Sequence, residues 1–194
     1  AITNIVFMGM GEPLHNIDAV IQACNNLRDS EGLAFSYRRI QVSTSGLVPA
    51  IDRLGRETQV TLAISLNSSF DAQRTAIMPV NRKWPIAQLL DACRRYPSTT
   101  SRPINFEYVL LKGYNDSLED AARVAELLNG VHGKVNLIPF NPHPGSDFER
   151  PLEQDVKAFQ NHLIHAQIPA TVRKSRGPDI LAACGQLRSD TKPL

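Results

Sequence analysis

The sequence predicts an α/β domain built on a parallel sheet, and three observations predict it. Short apolar runs alternate five times or more with segments of helical periodicity. Parallel strands joined by right-handed crossovers leave that pattern. Several of the runs are apolar at nearly every position, as in a sheet covered by helices. Nothing repeats at a period of about 20–50 residues, which sets a solenoid aside.

The elements follow in order. Thr3 to Met8 reads as a strand, and Gly9-Met10-Gly11-Glu12-Pro13 ends it. Asn16 is placed to cap a helix whose apolar face is Ile17, Val20, Ile21, Cys24 and Leu27. Arg39 to Thr44 is a second strand, followed by Ser45-Gly46 and a short helix from Pro49 to Leu54. Gln59 to Leu66 is a third strand, nearly all apolar or small. Pro85 opens a helix that carries Ile86, Leu89, Leu90 and Cys93. Ile104 to Leu111 is a fourth strand. Ser117-Leu118-Glu119-Asp120 resembles a capping sequence, with Asp120 in place of the usual Glu or Gln. The helix behind it buries Ala121, Val124, Leu127 and Leu128. Lys134 to Ile138 is a fifth strand, closed by Pro139-Phe140-Asn141-Pro142. Leu152, Val156, Phe159 and Leu163 share a helix face, and Ala170 to Lys174 is a last strand. The polar stretch from His143 to Pro151 reads as a connection within the fold, so residues 1–194 are expected to form a single domain.

Composition bounds the function. With 42% hydrophobic and 21% charged residues, the chain has the make-up of a soluble globular protein. No apolar stretch approaches the ~20 residues of a membrane span. The first residues lack both an initiator methionine and the basic-then-apolar pattern of a signal peptide, so a fragment of a longer protein is expected. The three cysteines are far apart and odd in number, which fits no disulfide framework or metal-ligand spacing. A reducing cytoplasm is expected. The net charge of +2 does not by itself call for nucleic acid. The basic residues are nevertheless clustered, most densely at Arg173-Lys174-Ser175-Arg176.

Polar residues gather where strands end. Gly11 and Glu12 end the first, Ser43-Thr44-Ser45 the second, Ser65-Leu66-Asn67 the third and Asn141 the fifth. In a parallel sheet these ends share one rim, where α/β proteins bind ligands. Each set also has a plain explanation in caps and turns. Together they suit one small polar ligand, an amine with a carboxylate or a ribose. Cys24 and Cys93 fall on apolar helix stripes. Cys184 lies between Ala183 and Gly185 beyond the last strand, with cationic residues nearby in sequence. It reads either as a packed thiol or as a reactive one.

Five strings, in order over essentially the whole chain, closely resemble the RlmN/Cfr family. They are Asn4-Ile5-Val6-Phe7-Met8-Gly9-Met10-Gly11-Glu12-Pro13-Leu14, Val42-Ser43-Thr44-Ser45-Gly46, Met78-Pro79-Val80-Asn81-Arg82-Lys83, Asn136-Leu137-Ile138-Pro139-Phe140-Asn141-Pro142 and Ala183-Cys184-Gly185-Gln186-Leu187. That family contains radical S-adenosylmethionine (SAM) enzymes that methylate an adenine of ribosomal RNA, and some members also act on tRNA. The resemblance implies a partial (β/α) barrel with its first strand missing. It implies SAM and a [4Fe-4S] cluster as cofactors, RNA as substrate and an electron donor such as flavodoxin. Gly11 and Glu12 match the stretch that binds the amino end of SAM; Ser43, Ser65, Leu66, Asn67 and Asn141 match further SAM contacts. Cys184 matches the cysteine that one SAM methylates. A deoxyadenosyl radical from a second SAM then takes hydrogen from that methyl group, and the carbon radical adds to the adenine. Arg173, Lys174 and Arg176 become the candidate RNA contacts.

The chain departs from the family in two ways. Asn67 stands where histidine is usual, and the family's cluster-binding cysteine motif would lie before the first residue. A member of the family that modifies carbon 8 instead of carbon 2, and a non-catalytic SAM- or RNA-binding module, stay open at this point.

Overall fold

A computed structural model describes residues 2–9, 11–143 and 145–173. Six strands alternate with six α-helices: β1 (Ile5–Phe7), α1 (Ile17–Arg28), β2 (Ile40–Thr44), α2 (Val48–Glu57), β3 (Thr61–Ser65), α3 (Asp71–Ile77), α4 (Ile86–Arg95), β4 (Ile104–Leu110), α5 (Leu118–Leu127), β5 (Gly133–Pro139), α6 (Glu153–His165) and β6 (Ala170–Val172). All strand pairs are parallel, in the order β1-β2-β3-β4-β5-β6. A strand order that never reverses has a physical consequence. Crossovers of one hand, stepping always in one direction, place every helix on the same face of the sheet. The open sheet is therefore a partial barrel, with an outer helix-covered face and an inner face.

Side-chain parity separates the two faces. Ile40, Val42, Leu62, Ile64, Phe106, Tyr108, Leu110, Val135, Leu137 and Ala170 point outward and join the core with Ile21, Ile51, Leu54, Leu89, Val124 and Phe159 of the helices. The intervening residues point inward and are largely polar. Register aligns Ala63, Asn105 and Lys134 in one inner layer and Ser65, Glu107, Asn136 and Thr171 in the next. The expectation of strands covered on both faces is thus corrected. Among the described residues helices cover only the outer face, and β3 looked apolar throughout because small Ala63 is its central inward residue.

Element ends also differ from expectation. Asn16 stands at the start of α1 but its side chain makes no capping bond, because a 3-10 turn over Pro13–Asn16 runs directly into the helix. That turn is capped instead by Glu12, whose side chain accepts from the Leu14 N–H. The capping box at α5 is present, and its aspartate has a further use. Asp120 receives the Ser117 hydroxyl through one oxygen and the Ser69 hydroxyl through the other, at 2.6 and 2.8 Å, which ties the loop after β3 to α5.

Helix α3 is absent from the sequence expectation. It has seven residues and no apolar stripe, and its buried side chain is an arginine, Arg74.

Candidate functional site

The carboxyl ends of the strands open into a cleft of about 600 Å³. Its size suits a ligand of nucleoside dimensions or larger. Gly11, Glu12, Ser43, Ser45, Ser65, Asn67, Glu107 and Arg173 line it, with apolar contributions from Phe7, Val109 and Ile138.

Glu12 is fixed from both sides. Its Oε1 accepts the Leu14 N–H at 3.0 Å. Its Oε2 accepts the N–H and the hydroxyl of Ser45, both at 2.7 Å. A carboxylate has about four acceptor positions, so this one keeps roughly one for a ligand. Glu12 therefore clasps the exit of β1 to the end of β2. Gly11 precedes it with φ +87° and open space around its α-carbon, a conformation that glycine adopts freely. Across the clasp, Thr44 turns outward, and its Oγ1 accepts the N–H groups of Gly46 and Leu47 at 3.1 and 3.4 Å. Ser43 turns inward to the cleft. Successive residues of one short string thus have separate tasks.

A buried arginine organises the rim from below. Arg74 is 0% exposed. Its Nε donates to Leu66 O at 2.9 Å, and its Nη2 donates to Ser45 O and Ser65 O at 2.7 and 2.9 Å. Its Nη1 donates to Asn81 Oδ1 at 2.8 Å. Asn81 in turn donates to Asp71 Oδ1 and Thr75 Oγ1, at 2.8 and 2.9 Å. Burial pulls the Arg74 pKa down to about 10, with the Asp71 charge opposing that fall. The guanidinium remains charged at neutral pH and joins the ends of β2 and β3. The string around Asn81 is therefore part of the scaffold of the cleft.

Asn67 has φ +56°, a left-handed conformation that asparagine tolerates better than most residues. Its Oδ1 accepts the Val109 N–H at 3.0 Å, and its Nδ2 lies 3.2 Å from Met78 Sδ. Its carbonyl accepts from Asn115 Nδ2 at 2.7 Å. Asn115 is fully buried and also bonds Val109 O and the Leu111 N–H. Asn67 thus faces the cleft while bridging β3 to β4, which gives a structural reason for asparagine at this position.

Two expected site residues are placed differently. Leu66 is buried at 0% exposure and meets its surroundings through backbone groups, away from the cleft lining. Asn141 lies just beyond β5 at the same end of the sheet, but outside the cleft lining, where its Oδ1 accepts from Arg150 at 2.9 Å. Arg173 is exposed and reaches the cleft, its N–H bonding Leu137 O. Cys184, Lys174 and Arg176 lie outside the described residues. Cys24 and Cys93 are fully buried, and burial pushes their thiols up to about 11 and about 12. Both are packing residues.

Sequence reasoning missed Glu107, although its signal was present: Asn105, Glu107 and Val109 alternate with Phe106, Tyr108 and Leu110. Glu107 is 9% exposed and points into the cleft from β4. Its Oε2 accepts from Asn136 Nδ2 at 2.7 Å. Burial raises its carboxyl above the ordinary glutamate range, with the Asn136 bond and the charges of Arg173 and Lys134 acting against the rise. A glutamate raised in the folded state binds protons more readily folded than unfolded. Its stability deficit therefore develops as pH rises through the window between the two pKa values, and is absent below about 4. Glu107→Gln is accordingly expected to melt higher than the parent at pH 7, with the gap closing as pH falls below about 4. Thermal melts at both pH values measure this, and a gap that is the same at both contradicts it.

The model of the radical SAM superfamily matches residues 1–125. The chain is 56% identical over all its 194 residues to the dual-specificity RNA methyltransferase RlmN of Methylorubrum populi, of which it covers 46%. It is 53% identical to the protein of that name from Geobacter sulfurreducens, covering 54% of it. The chain thus spans about half the length of the curated relatives it matches. A radical SAM methyltransferase structure from Sphaerobacter thermophilus superposes with a TM-score of 0.90 at 52% identity, over 96% of this chain and 55% of that one. A domain of the pyruvate-formate lyase-activating enzyme from Bacteroides vulgatus, at 18% identity and a TM-score of 0.67, shares the fold. With its singly wound parallel sheet, its cleft at the strand ends and these matches, the chain belongs to the radical SAM superfamily, and within it to the RlmN-like members.

Proposed function

We propose that this chain forms the SAM-binding part of a cytoplasmic RNA methyltransferase that, as its resemblance to RlmN implies, modifies carbon 2 of an adenine in 23S ribosomal RNA and in tRNA. The observation that carries this reading is the match, over the whole chain, to proteins named dual-specificity RNA methyltransferases. When bound, SAM and an iron–sulfur cluster supply the methyl group and the radical chemistry that installs it.

The residues of the cleft fit SAM. Glu12 keeps an acceptor position for an ammonium group. Ser43 and Ser65 present hydroxyls with no hydrogen-bond partner among the described residues, and Phe7, Val109 and Ile138 offer apolar surface for a purine. The described residues do not fit a cluster: no three His, Cys, Asp or Glu side chains come together among them. Its ligands, and the surface for an electron donor such as flavodoxin, are assigned to other parts of the full protein. Cys184 is proposed to carry the transferred methyl group. A sulfur nucleophile accepts a methyl group from a sulfonium by simple displacement, the sulfonium leaving as a neutral thioether.

Arg173 links the cleft to the proposed RNA partner, since it is at once exposed and part of the lining. Neutralising Arg173, Lys174 and Arg176 together is expected to lower the slope of log affinity for RNA against log salt by about 2, at ~0.7 per phosphate contact on a single strand. Filter binding at several salt concentrations measures the slope, and identical slopes would remove these residues from the interface.

The test in the cell is mass spectrometry of ribosomal and transfer RNA from a strain lacking the gene. A 2-methyladenine is expected to disappear and to return when the gene is restored. RNA with unaltered methylation would overturn the proposal.

A further inference from the structure

We propose that Arg82 and Lys83, on the connection between α3 and α4, contact the phosphate backbone of the RNA where it crosses the rim to reach the cleft. The assignment rests on the RNA substrate proposed above and adds a contact on a different part of the rim from Arg173.

Three observations support it. First, the connection is fixed at the mouth of the cleft. Met78, which opens it, has its Sδ 3.2 Å from Nδ2 of Asn67, a lining residue. The 3-10 turn Pro79–Arg82 buries Asn81. Asn81 accepts from Arg74, and Arg74 donates to the carbonyls of Ser45 and Ser65 at the ends of β2 and β3. The N–H groups of Lys83 and Trp84 close on Val80 O at 3.1 and 3.2 Å. Side chains carried on a backbone held in this way leave less to order on binding.

Second, the two cations are uncommitted. Both are exposed, and neither forms an ion pair with a described residue. The carboxylate nearest in the network, Asp71, is engaged by Asn81 Nδ2 and by the Ile86 N–H, at 2.8 and 2.9 Å. Lys83 Nζ stands 4.7 Å from the centroid of the Trp84 ring, a face that attracts a cation without neutralising it.

Third, another part of the rim repels a polyanion. The loops after β4 and β5 and the first turns of α5 and α6 carry Asp116, Glu119, Asp147, Glu149, Glu153 and Asp155. The cations in those loops are already engaged: Lys112 pairs with Glu149, and Arg150 donates to Asn141 Oδ1. Burial raises the Asp116 carboxyl above its ordinary range; backbone hydrogen bonds oppose the rise, and the charges of Asp155 and Asp120 add to it. A phosphate chain approaching the strand ends is therefore steered toward the α3–α4 connection, where the positive charge is unopposed.

The test is binding of a transfer RNA transcript to the full protein, by filter retention at several salt concentrations. In Arg82→Gln/Lys83→Gln the slope of log affinity against log salt is expected to fall by about 1.4, at ~0.7 per phosphate contact on a single strand. At about 0.1 M salt this corresponds to roughly 25-fold weaker binding. Each single substitution is expected to remove about half of the slope change, so the assignment is also read from variants that alter one exposed side chain. Arg38→Gln/Arg39→Gln removes the same charge at the opposite end of the sheet, in the turn before β2, and is expected to leave the slope unchanged. Affinity for S-adenosylhomocysteine is expected to be unchanged in all of them. Slopes in the Arg82 and Lys83 variants that match the parent overturn the proposal, as does an equal fall in the Arg38/Arg39 variant. If the unaltered protein binds no RNA, the proposed substrate fails and this contact with it. If it binds RNA and the Arg82 and Lys83 variants bind equally well, the contact alone fails.

Discussion

Arg74→Met is expected to destabilise the fold by about 3–5 kcal/mol, the range found when one member of a buried charged network is removed. At about 2–4 °C per kcal/mol for a chain of this size, the melting temperature falls by roughly 6–20 °C. The cause is specific. The guanidinium donates to three carbonyls, of Ser45, Ser65 and Leu66, at the ends of two strands, and to the Asn81 amide. Methionine fills most of the volume and donates to none of them. The four acceptors are then left in a site with no exposure. Arg74→Lys is expected to recover little of the loss, because one ammonium group cannot reproduce a planar fork directed at four acceptors. Thermal and urea unfolding of both variants measure the effect, and losses below about 1 kcal/mol would show that the arginine network does not hold β2 to β3. The effect reaches the cleft through Ser45. Arg74 fixes the carbonyl of the residue whose N–H and hydroxyl hold Glu12.

The second large effect is expected at Glu12 itself. Glu12→Gln keeps the length of the side chain and removes one acceptor oxygen. With its carbonyl toward Ser45, its amide faces the Leu14 N–H, donor against donor. Turned around, the amide faces the Ser45 N–H. Either way a backbone donor loses its partner, at a cost of about 2–3 kcal/mol. Strand β1 has only three residues and, among the described residues, a single neighbour in the sheet, so the loss falls mainly on its attachment. Amide exchange across β1 is expected to accelerate by about 30-fold or more, with the central β4 unchanged. Affinity for S-adenosylhomocysteine is expected to fall in parallel. Exchange in β1 that matches the parent protein would show that pairing with β2 suffices to hold it.

The outer half of this fold was legible in the sequence because burial against helices leaves a periodic signature. Ile40 and Val42, or Leu89, Leu90 and Cys93, could be read directly as buried. The inner half was harder to read. Its residues line a cleft rather than a core, so their polarity resembles that of surface or turn residues. Glu107 and Asn136 sit in the middle of strands, at positions where a sheet covered on both faces admits few polar groups. Once the strand order places every described helix on one face, their parity identifies them.

Helix α3 was illegible for a related reason. What it buries is Arg74, and a buried arginine has no hydropathy signal. Its partners are mainly backbone carbonyls that only the folded strands bring together. The string Met78 to Lys83 carried the resemblance, yet the part played by Asn81 in holding Arg74 is visible only in three dimensions. Glu12 was legible as an acid at a strand end, while its attachment to Ser45, 33 positions away, was not. Asn67 illustrates a substitution read from the fold. A left-handed backbone and a bridge to the Val109 N–H are both suited to asparagine.

The cleft lined by Glu12, Ser65 and Glu107 is proposed to belong to an enzyme that moves a methyl group from SAM to an adenine of RNA. The most direct measurement uses the full protein, reconstituted anaerobically with iron and sulfide, and supplied with a chemical reductant, methyl-labelled SAM and an RNA transcript. Label is predicted at carbon 2 of an adenine, and none is predicted when Cys184→Ala replaces the parent protein. Label that never reaches the RNA although SAM is bound and consumed, or that reaches it equally well without Cys184, would overturn this function.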